Sequence, residues 1–402
     1  MKKQDSTSAI RIRAEKTQYN EHTTPMYLTS SFTFDNAEDM RSAFAGETDI
    51  NIYSRFVNPN YSELIDKMCA LEGTEAGFAT ATGMAAVHAS IVSIVGNGDH
   101  IVACRSVFGS THTMLTNILP RFGITHTYVN VNATEAEWEA AIQENTKMIF
   151  LETPTNPGVG IVDLEMIGRI GKKHKVLTNV DNCFATPFVQ KPTDFGIDII
   201  THSATKYIDG QGRVMGGVIL GPVDYIQEVF TYCRSTGPAI SPFNAWTLSK
   251  SLETLGVRME KHCKNAFKLA TALESHPEIL NVKYPFLLSH PQYDIAQNQM
   301  KNGGGIVTFE VKGGIERGRE FLNNISLCSL SANLGDTRTI VTHPASTTHS
   351  KLTDEERTEV GITPGLIRVS AGLESIIDIL KDIEKALEAS KYRTISEEIK
   401  KI

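Results

Sequence analysis

The distribution of apolar and polar residues divides the chain into three parts. Residues 1–58 show little periodicity and are interrupted by Pro25 and Gly46, which predicts an extended arm. A long stretch without regular structure in a compact protein usually has a function or wraps a partner. We therefore expect this arm to have a function of its own or to wrap a partner.

The middle part of the chain predicts strands alternating with helices, because short apolar runs alternate with segments of helical periodicity. The predicted strands are residues 76–80, 100–104, 125–130, 147–151, 176–180, 197–201 and 216–220. The predicted helices are residues 63–71, 83–95, 110–120, 163–174 and a segment that starts at Thr134, where Thr134 and Glu137 have the spacing of a capping box. This alternation is typical of an α/β fold with a mainly parallel sheet covered on both faces.

The last third of the chain predicts a smaller α+β domain. A helical region over residues 243–275 precedes a strand over 304–311, and the chain ends in an amphipathic helix. Ser375 and Asp378, at the start of that helix, also have capping-box spacing. Four apolar residues of the helix lie on one face: Ile376, Ile379, Leu380 and Ile383. The predicted divisions are an arm (1–58), a larger cofactor-binding domain (59–255) and a C-terminal domain (256–402).

Composition and charge exclude several classes of protein. The 402 residues carry a net charge of −7, and no basic face or arm stands out, so nucleic acid and anionic membranes are not expected partners. No apolar run is long enough to span a bilayer, and the first residues lack the apolar region of a secretory signal.

The six cysteines are widely spaced and form no CxxC pair. This spacing predicts buried, reduced thiols in a cytoplasmic protein, not a disulfide framework or a metal site. No metal is expected.

Three stretches with residues suited to ligand binding or catalysis directly follow predicted strands. In a parallel α/β sheet, ligands bind beyond these strand ends. In ATGMAAVH (81–88) a strand passes through Gly83 into a helix. The free N–H groups at the start of this helix form an anion site, or else the glycine simply allows a tight turn. In NVDNCF (179–184) Asp181 is either a turn former or a carboxylate that faces the ring nitrogen of a ligand.

The third stretch, HSATKY (202–207), places Lys206 after two hydroxyl residues that can donate to a phosphate, Ser203 and Thr205. Lysine is most often a surface residue. A partly desolvated lysine at the end of a sheet, however, has a lowered pKa and can act as a nucleophile and a base. The following GQGRVMGG (210–217) is not a dinucleotide fingerprint, which argues against a nicotinamide site.

Three groups lie at neighbouring strand ends: an anion cradle, a carboxylate and an amine. They match three functional groups of pyridoxal 5'-phosphate (PLP). Its phosphate fits the helix end, its ring nitrogen fits Asp181, and its aldehyde can react with Lys206.

The chain resembles the cysteine/methionine-metabolism family of PLP-dependent enzymes. The motifs that carry the resemblance cover nearly the whole chain: YSRFVNP (53–59), ATGMAA (81–86), ETPTNP (152–157), VDNCF (180–184), HSATKY (202–207), THPASTTHS (342–350) and IRVSAGLE (367–374). The resemblance implies the aspartate-aminotransferase-type fold (fold type I) with a seven-stranded sheet. It also implies a homotetramer in which subunits share active sites.

The resemblance implies roles for individual residues. Lys206 binds the aldehyde and moves protons, and Asp181 pairs with the ring nitrogen. The phosphate is held by Gly83, Met84, Ser203 and Thr205, and by Tyr53 and Arg55 of the neighbouring subunit. Arg368, Asn156 and Asn333 are implied for the substrate, with the arginine fork fitting the α-carboxylate.

Departures from the family pattern bear on the reaction. In VFGST (107–111), Phe108 stands where many members have a tyrosine that stacks on the cofactor, and Ser110 replaces a cysteine associated with methionine γ-lyases. Phenylalanine can stack but cannot exchange a proton. Asn333 stands where lyases commonly have a serine. These features are similar to those of family members that join sulfide to an acylated homoserine. The resemblance therefore predicts homocysteine synthesis from O-succinyl- or O-acetylhomoserine.

Three alternatives stay open. One is cleavage of the C–S bond of methionine or cystathionine, and another is a γ-synthase reaction with cysteine as the acceptor. A cofactor-binding protein without catalysis is a third, although it would not require Lys206, Asp181 and Arg368 together. Arg213 is either a surface loop residue or a receptor for the distal carboxylate of a succinyl ester.

Overall fold

A computed structural model describes residues 3–348, 350, 353, 354, 357 and 361–399. Its strands are β1 (Ala76–Thr80), β2 (His100–Cys104), β3 (Thr125–Val129), β4 (Thr146–Glu152), β5 (Leu177–Asp181), β6 (Ile199–Ser203), β7 (Gly217–Gly221), β8 (Ile279–Lys283), β9 (Ile306–Val311), β10 (Ser329–Leu330), β11 (Ile340–Thr342) and β12 (Leu366–Ser370). The seven strands predicted in the middle of the chain are confirmed to within two residues at each end.

The α-helices are α1 (Asp5–Arg11), α2 (Ala37–Phe44), α3 (Pro59–Glu72), α4 (Gly83–Val92), α5 (Gly109–Thr113), α6 (Glu135–Ala140), α7 (Leu164–His174), α8 (Thr186–Val189), α9 (Val223–Thr236), α10 (Pro242–Leu252), α11 (Leu255–Glu274), α12 (Tyr293–Gln299), α13 (Gly314–Asn324) and α14 (Ile376–Ile399). The predicted capping box of Thr134 and Glu137 is present at the start of α6. Among the described helices, none is long and apolar enough to cross a membrane.

The larger sheet has seven strands in the order β1-β7-β6-β5-β4-β2-β3. The five neighbouring strands β6, β5, β4, β2 and β3 are parallel, and β7 runs antiparallel to both β1 and β6. The prediction of a mainly parallel sheet is therefore confirmed. Because parallel strands end at the same edge, the carboxyl ends of β4, β5 and β6 lie side by side.

Both faces of this sheet are buried. Ile199 of β6 and Ile219 of β7 pack into one apolar core, together with residues of α4, α7 and α9. Ile200 and Leu220, the next positions along the same strands, pack into a second core with α3 and α10. Strands buried on both faces read as continuous apolar runs, which explains why the sequence located them.

The smaller sheet has five strands in the order β10-β11-β12-β9-β8. Apolar residues of α11, α13 and α14 form its core with Phe309 of β9. The predicted apolar face of α14 is confirmed, since Ile379 and Ile383 are buried in this core and Ile376 and Leu380 pack against it. The β9 strand at 304–311 was predicted, whereas β8, β11 and β12 were not.

Two predicted helices differ in the structure. The segment predicted as a helix over 110–120 begins as α5, continues as a π-helix (Met114–Ile118) and ends as a 3-10 helix (Leu119–Phe122). Pro120 and Gly123 account for the ending, because proline lacks an N–H donor and Gly123 adopts a positive φ of 73°. The region 243–275 is two helices, α10 and α11, separated at Glu253 and Thr254.

The arm over residues 1–58 is less extended than predicted, because it contains α1 and α2. Hydrogen bonds fix it to α3. The backbone of Ala14 and the Thr24 hydroxyl donate to the Glu63 carboxylate, and the N–H of Tyr27 donates to Asn60 at 2.7 Å. The arm therefore lies against the larger domain of its own chain.

Candidate active site

Lys206 lies in a turn directly after β6. Its backbone N–H donates to the carbonyl of Ser203 at 3.2 Å, which folds the turn back over the strand end. The side chain is partly buried, and its Nζ donates to the Oδ1 of Asn333 at 2.6 Å. Burial lowers the pKa of the Lys206 amine, and Arg368 lowers it further, while Cys183 opposes the change. The amine is therefore closer to its nucleophilic, neutral form than an exposed lysine.

Asp181 ends β5, the strand beside β6, and pairs in register with Thr201. Its Oδ1 accepts a hydrogen bond from the N–H of Cys183 at 3.0 Å. Burial raises the pKa of this carboxyl to about 6, although His202 and the Cys183 N–H favour the ionised form. A buried carboxylate of this kind is stabilised by a cationic partner, such as a protonated ring nitrogen.

The amino end of α4 forms a cradle against β6. The Thr82 hydroxyl caps the helix by accepting from the N–H of Ala85 at 3.1 Å, so the N–H groups of Gly83 and Met84 come before the capped position. A Cβ on Gly83 would lie 2.5 Å from the Cβ of Ser203. Glycine is therefore required for this approach, which brings a helix end and a hydroxyl together as an anion site.

Thr205, the other predicted phosphate ligand, has partners within the chain. Its hydroxyl donates to the carbonyl of Gly216 at 3.3 Å and accepts from the N–H of the same residue at 3.2 Å. Both distances are near the upper limit for hydrogen bonds. The contact places Thr205 beside the glycine segment that leads into β7.

Arg368 comes from β12 of the smaller sheet and is 5% exposed. Its Nη1 donates to the Oδ1 of Asn156 and its Nη2 donates to the carbonyl of Asn333, both at 3.0 Å. Burial lowers the pKa of the guanidinium to about 10. Its Nε is buried without a hydrogen-bond partner among the described residues. A buried cation with a spare donor is suited to a carboxylate ligand.

Glu152 was missed by sequence reasoning. It ends β4, pairs in register with Asp181, and accepts a hydrogen bond from the N–H of Phe108 at 3.0 Å. Burial and the neighbouring charge of Asp181 raise the pKa of the Glu152 carboxyl well above its ordinary value. Its place as the first residue of ETPTNP, at the end of a parallel strand, was the signal in the sequence.

Phe108 begins the segment that leads into α5, and its side chain is 41% exposed. The hydrogen bond to Glu152 places its backbone beside the ends of β4 and β5. Ser110 lies two residues further on, in the first turn of α5.

Tyr53 and Arg55 are not brought to Lys206 by contacts within the described chain. The Arg55 guanidinium lies 5.3 Å from the centre of the Tyr53 ring and 5.0 Å from that of Phe56. Both residues line a cleft of about 440 Å³ with the 237–242 loop. Their predicted contact with a phosphate of the neighbouring subunit stays a prediction.

Arg213 is held by Asp209 of its own loop and by Ser251 of α10. Its Nε donates to the Asp209 Oδ1 at 3.1 Å, and its Nη2 donates to the carbonyl of Asp209 and to the Ser251 hydroxyl. These bonds favour a structural role over a receptor for a distal carboxylate.

The six cysteines all lie within the described part of the chain and are free thiols. Over the same residues, no group of three or more His, Cys, Asp or Glu side chains is arranged to hold a metal ion. His349 of the THPASTTHS motif lies outside the described residues.

The arrangement fits PLP on structural grounds. The cradle of α4 and Ser203 matches a phosphate, and the buried Asp181 matches a ring nitrogen. Lys206 has an amine of lowered pKa beside them, and Arg368 has a spare donor for a carboxylate. A large α/β sheet with these groups at its carboxyl edge, and a smaller α+β domain that adds an arginine, define a PLP-dependent enzyme of fold type I.

Comparison with known proteins identifies the family. The pattern of the family described as "Cys/Met metabolism PLP-dependent enzyme" matches residues 6–388, and the chain belongs to that family. Its cofactor is PLP, and its general chemistry is γ-elimination or γ-replacement.

Two similar curated relatives differ in activity. An O-succinylhomoserine sulfhydrylase from Pseudomonas aeruginosa is 43% identical over 95% of this chain and 95% of its own length. An L-methionine gamma-lyase from Porphyromonas gingivalis is 44% identical over 97% of this chain and 100% of its own length.

A solved structure from Campylobacter jejuni, described as an O-acetylhomoserine (thiol)-lyase, is 33% identical. Its TM-score is 0.93, and the match covers 96% of this chain and 100% of the other. That protein carries an N'-pyridoxyl-lysine-5'-monophosphate residue. The predictions of the family, the fold class and the cofactor are thus confirmed.

Proposed function

We propose that the protein catalyses the replacement of the acyloxy group of O-succinyl- or O-acetylhomoserine by sulfide, forming homocysteine for methionine synthesis. The observation that carries this proposal is Phe108. Its backbone is fixed to Glu152 at the cofactor edge of the sheet, and its ring brings no hydroxyl to the site. The chemistry left to the protein therefore depends on one mobile base, Lys206.

The substrate is held by residues from both domains. Arg368 binds the α-carboxylate with its spare donors, and Asn156 orients the guanidinium through the 3.0 Å contact to its Nη1. Asn333 lies between Arg368 and Lys206. Its backbone carbonyl accepts a hydrogen bond from the Arg368 guanidinium, and its Oδ1 accepts one from the Lys206 amine. These contacts support a binding mode in which the substrate Cα lies beside the lysine amine.

PLP, when bound, supplies an electron sink for negative charge at the substrate Cα. Lys206 Nζ removes the Cα proton, which the cofactor, when bound, would store, and the amine is then free to remove a Cβ proton. This second removal allows the Cγ–O bond to break and releases the acyl group as a carboxylate. Sulfide forms the new Cγ–S bond, and Lys206 returns protons to Cβ and Cα. A lysine whose pKa is lowered by burial suits this two-way proton transfer.

The experiment is a product analysis on the purified enzyme loaded with PLP. Mass spectrometry follows O-succinyl- and O-acetylhomoserine with sulfide or with cysteine, and methionine alone. We expect homocysteine from an ester with sulfide and little 2-oxobutyrate from methionine. Fast 2-oxobutyrate release from methionine would contradict the proposal, and so would appreciable turnover by Lys206→Ala.

Methionine γ-lysis is the second candidate function, because the similarity to an L-methionine gamma-lyase is as high as that to a sulfhydrylase. Phe108→Tyr distinguishes the two. If the missing hydroxyl limits elimination, this variant gains lyase activity while sulfide replacement is retained. Phe122→Tyr is the matched control, because this substitution adds the same hydroxyl at a position that is 62% exposed and away from the site.

We also propose a homotetramer that works in the cytoplasm on small amino-acid substrates. The six free thiols support a reducing compartment. The position of Tyr53 and Arg55 on an open cleft supports completion of each site by a second copy of the chain.

A further inference from the structure

A buried charge pair lies behind the cofactor site and has no role in the mechanism above. Glu72, the last residue of α3, is 0% exposed, and His202 of β6 is 1% exposed. The His202 Nε2 lies 2.6 Å from the Glu72 Oε1. The other carboxylate oxygen of Glu72, Oε2, is buried without a hydrogen-bond partner among the described residues. A buried ion pair is costly to maintain and is weak support for stability by itself.

Glu72 joins the ends of the two strands that carry the cofactor ligands. Its Oε1 accepts from the Asn182 Nδ2 at 2.9 Å as well as contacting His202. Asn182 directly follows Asp181, and His202 directly precedes Ser203. One carboxylate oxygen therefore links the residues adjacent to the ring-nitrogen ligand and to the phosphate ligand.

The rest of this polar cluster is closed. The Asn182 side chain exchanges hydrogen bonds with Gln190, whose Nε2 also donates to the carbonyl of Thr153 at 2.9 Å. Gln299 completes the cluster with a bond to the Gln190 Oε1 at 3.1 Å. These amides are neutral, so the charge in the cluster is confined to Glu72 and His202.

Burial is the main factor that opposes the charge of Asp181. That charge in turn raises the pKa of the Glu152 carboxyl and of the Cys183 thiol. Arg368 lowers the pKa of Glu152, and Lys206 lowers that of Cys183. His202 is the cationic group that favours the ionised form of Asp181 from β6. The Glu72 Oε1, 2.6 Å from the His202 Nε2, is the acceptor that a protonated imidazole at this position requires.

We infer that Glu72 and His202 are positioning residues for the cofactor. The pair fixes the spacing between Asp181 and Ser203 and supplies the positive charge that keeps Asp181 ionised beside the ring nitrogen. This inference depends on PLP binding and is independent of the substrate proposed above.

Glu72→Gln tests the charge separately from the shape, because glutamine keeps an acceptor for Asn182 while His202 loses its anion. Outer partners of ligands typically change affinity by about 10- to 100-fold. We expect Glu72→Gln and His202→Gln to bind PLP about 10-fold more weakly near neutral pH, with recovery at higher pH where Asp181 ionises without help. Equilibrium dialysis across a pH series measures this affinity.

The protonation of the ring nitrogen gives a readout that a merely structural role would not change. NMR of PLP labelled at the ring nitrogen reports whether that atom carries a proton. In wild-type protein we expect a protonated ring at neutral pH, and in both variants a neutral ring. A protonated ring in the variants, with unchanged affinity, would overturn the inference.

Two further variants keep the test decisive. The double variant Glu72→Gln with His202→Gln replaces the pair by two amides that can bond each other, so it is expected to fold and still to lose the ring proton. If it keeps that proton, the charge has no role. His100→Gln is the matched control, since His100 is equally buried at the start of β2 and bonds Thr146 and Thr127; it should leave cofactor binding unchanged.

Discussion

At the scale of single residues, the site depends on charges that are removed from water. Arg368 and Asp181 are both buried, and burial alone disfavours the charged form of each. Each is suited to a ligand of opposite charge, the substrate carboxylate for Arg368 and the ring nitrogen for Asp181. The free energy spent on burying these groups is recovered when the ligands bind.

Arg368→Lys keeps the charge but removes the planar fork, so we expect it to weaken productive binding of the substrate. A hydrogen bond to a charged group typically contributes about 1.5 to 3 kcal/mol, and about 2 kcal/mol corresponds to roughly a 30-fold loss in kcat/KM. Steady-state kinetics measures this loss, and PLP affinity should stay unchanged. Arg169→Lys, at an exposed ion pair with Glu135, is the control. Equal kinetics for Arg368→Lys and wild type would remove Arg368 from substrate binding.

At the scale of elements, the approach of α4 to the end of β6 builds the phosphate cradle. Thr82 caps the helix, and Gly83 allows Ser203 to lie against its first turn. The register of β5 and β6 then places Asp181 on the adjacent strand. The cradle is therefore a product of helix capping and sheet order more than of any single side chain.

Gly83→Ala tests the cradle. Alanine usually stabilises a helix relative to glycine by about 1 kcal/mol, but here its Cβ would lie 2.5 Å from the Cβ of Ser203. We expect the helix end to shift and PLP affinity, measured by dialysis, to fall by about 10-fold. Gly96→Ala is the matched control, because its Cβ meets only the Asp99 carboxylate at 3.9 Å. An affinity equal to that of wild type would show that the approach is not needed.

The sequence predicted the elements whose pattern is set by local burial. Most strands of the larger sheet contain short apolar runs because they are buried, and all seven were located within two residues. The strand β3 (THTYV) differs, since only its last residue, Val129, is buried. β12 was missed because Arg368 interrupts its apolar run, and its burial depends on Asn156, far away in the sequence. Likewise, the roles of Glu152 and His202 depend on which strands become neighbours, which local periodicity does not contain.

At the scale of the whole molecule, the site lies where the two sheets meet. Lys206 follows a strand of the larger sheet and Arg368 belongs to the smaller one, while Asn333 bonds both. The Gly335 backbone, with a φ of 74°, brings the same loop against Tyr207. The relative placement of the two sheets therefore sets the distance between the Lys206 amine and the Arg368 guanidinium, the groups proposed as base and carboxylate receptor.

Subunit mixing tests whether a second copy completes the site. Arg55→Ala and Lys206→Ala should each be nearly inactive alone. After mixing, about a quarter of wild-type activity is expected, because half of randomly formed dimers are mixed and each has one intact site of two. Activity assays after co-refolding or co-expression measure this recovery. If no activity returns, Arg55 acts within its own chain; mixing Lys206→Ala with Lys206→Arg is the negative control.

The burial of the six free thiols has a consequence for their reactivity. Burial raises the pKa of Cys69 to about 11 and those of Cys104, Cys233 and Cys263 to about 12, and it also raises those of Cys183 and Cys328. Thiolates, not thiols, attack disulfides and alkylating agents. The folded enzyme should thus be inert towards mixed-disulfide formation with homocysteine, the product proposed above. It should react with a maleimide dye only after denaturation, so that labelling at neutral pH reports unfolding.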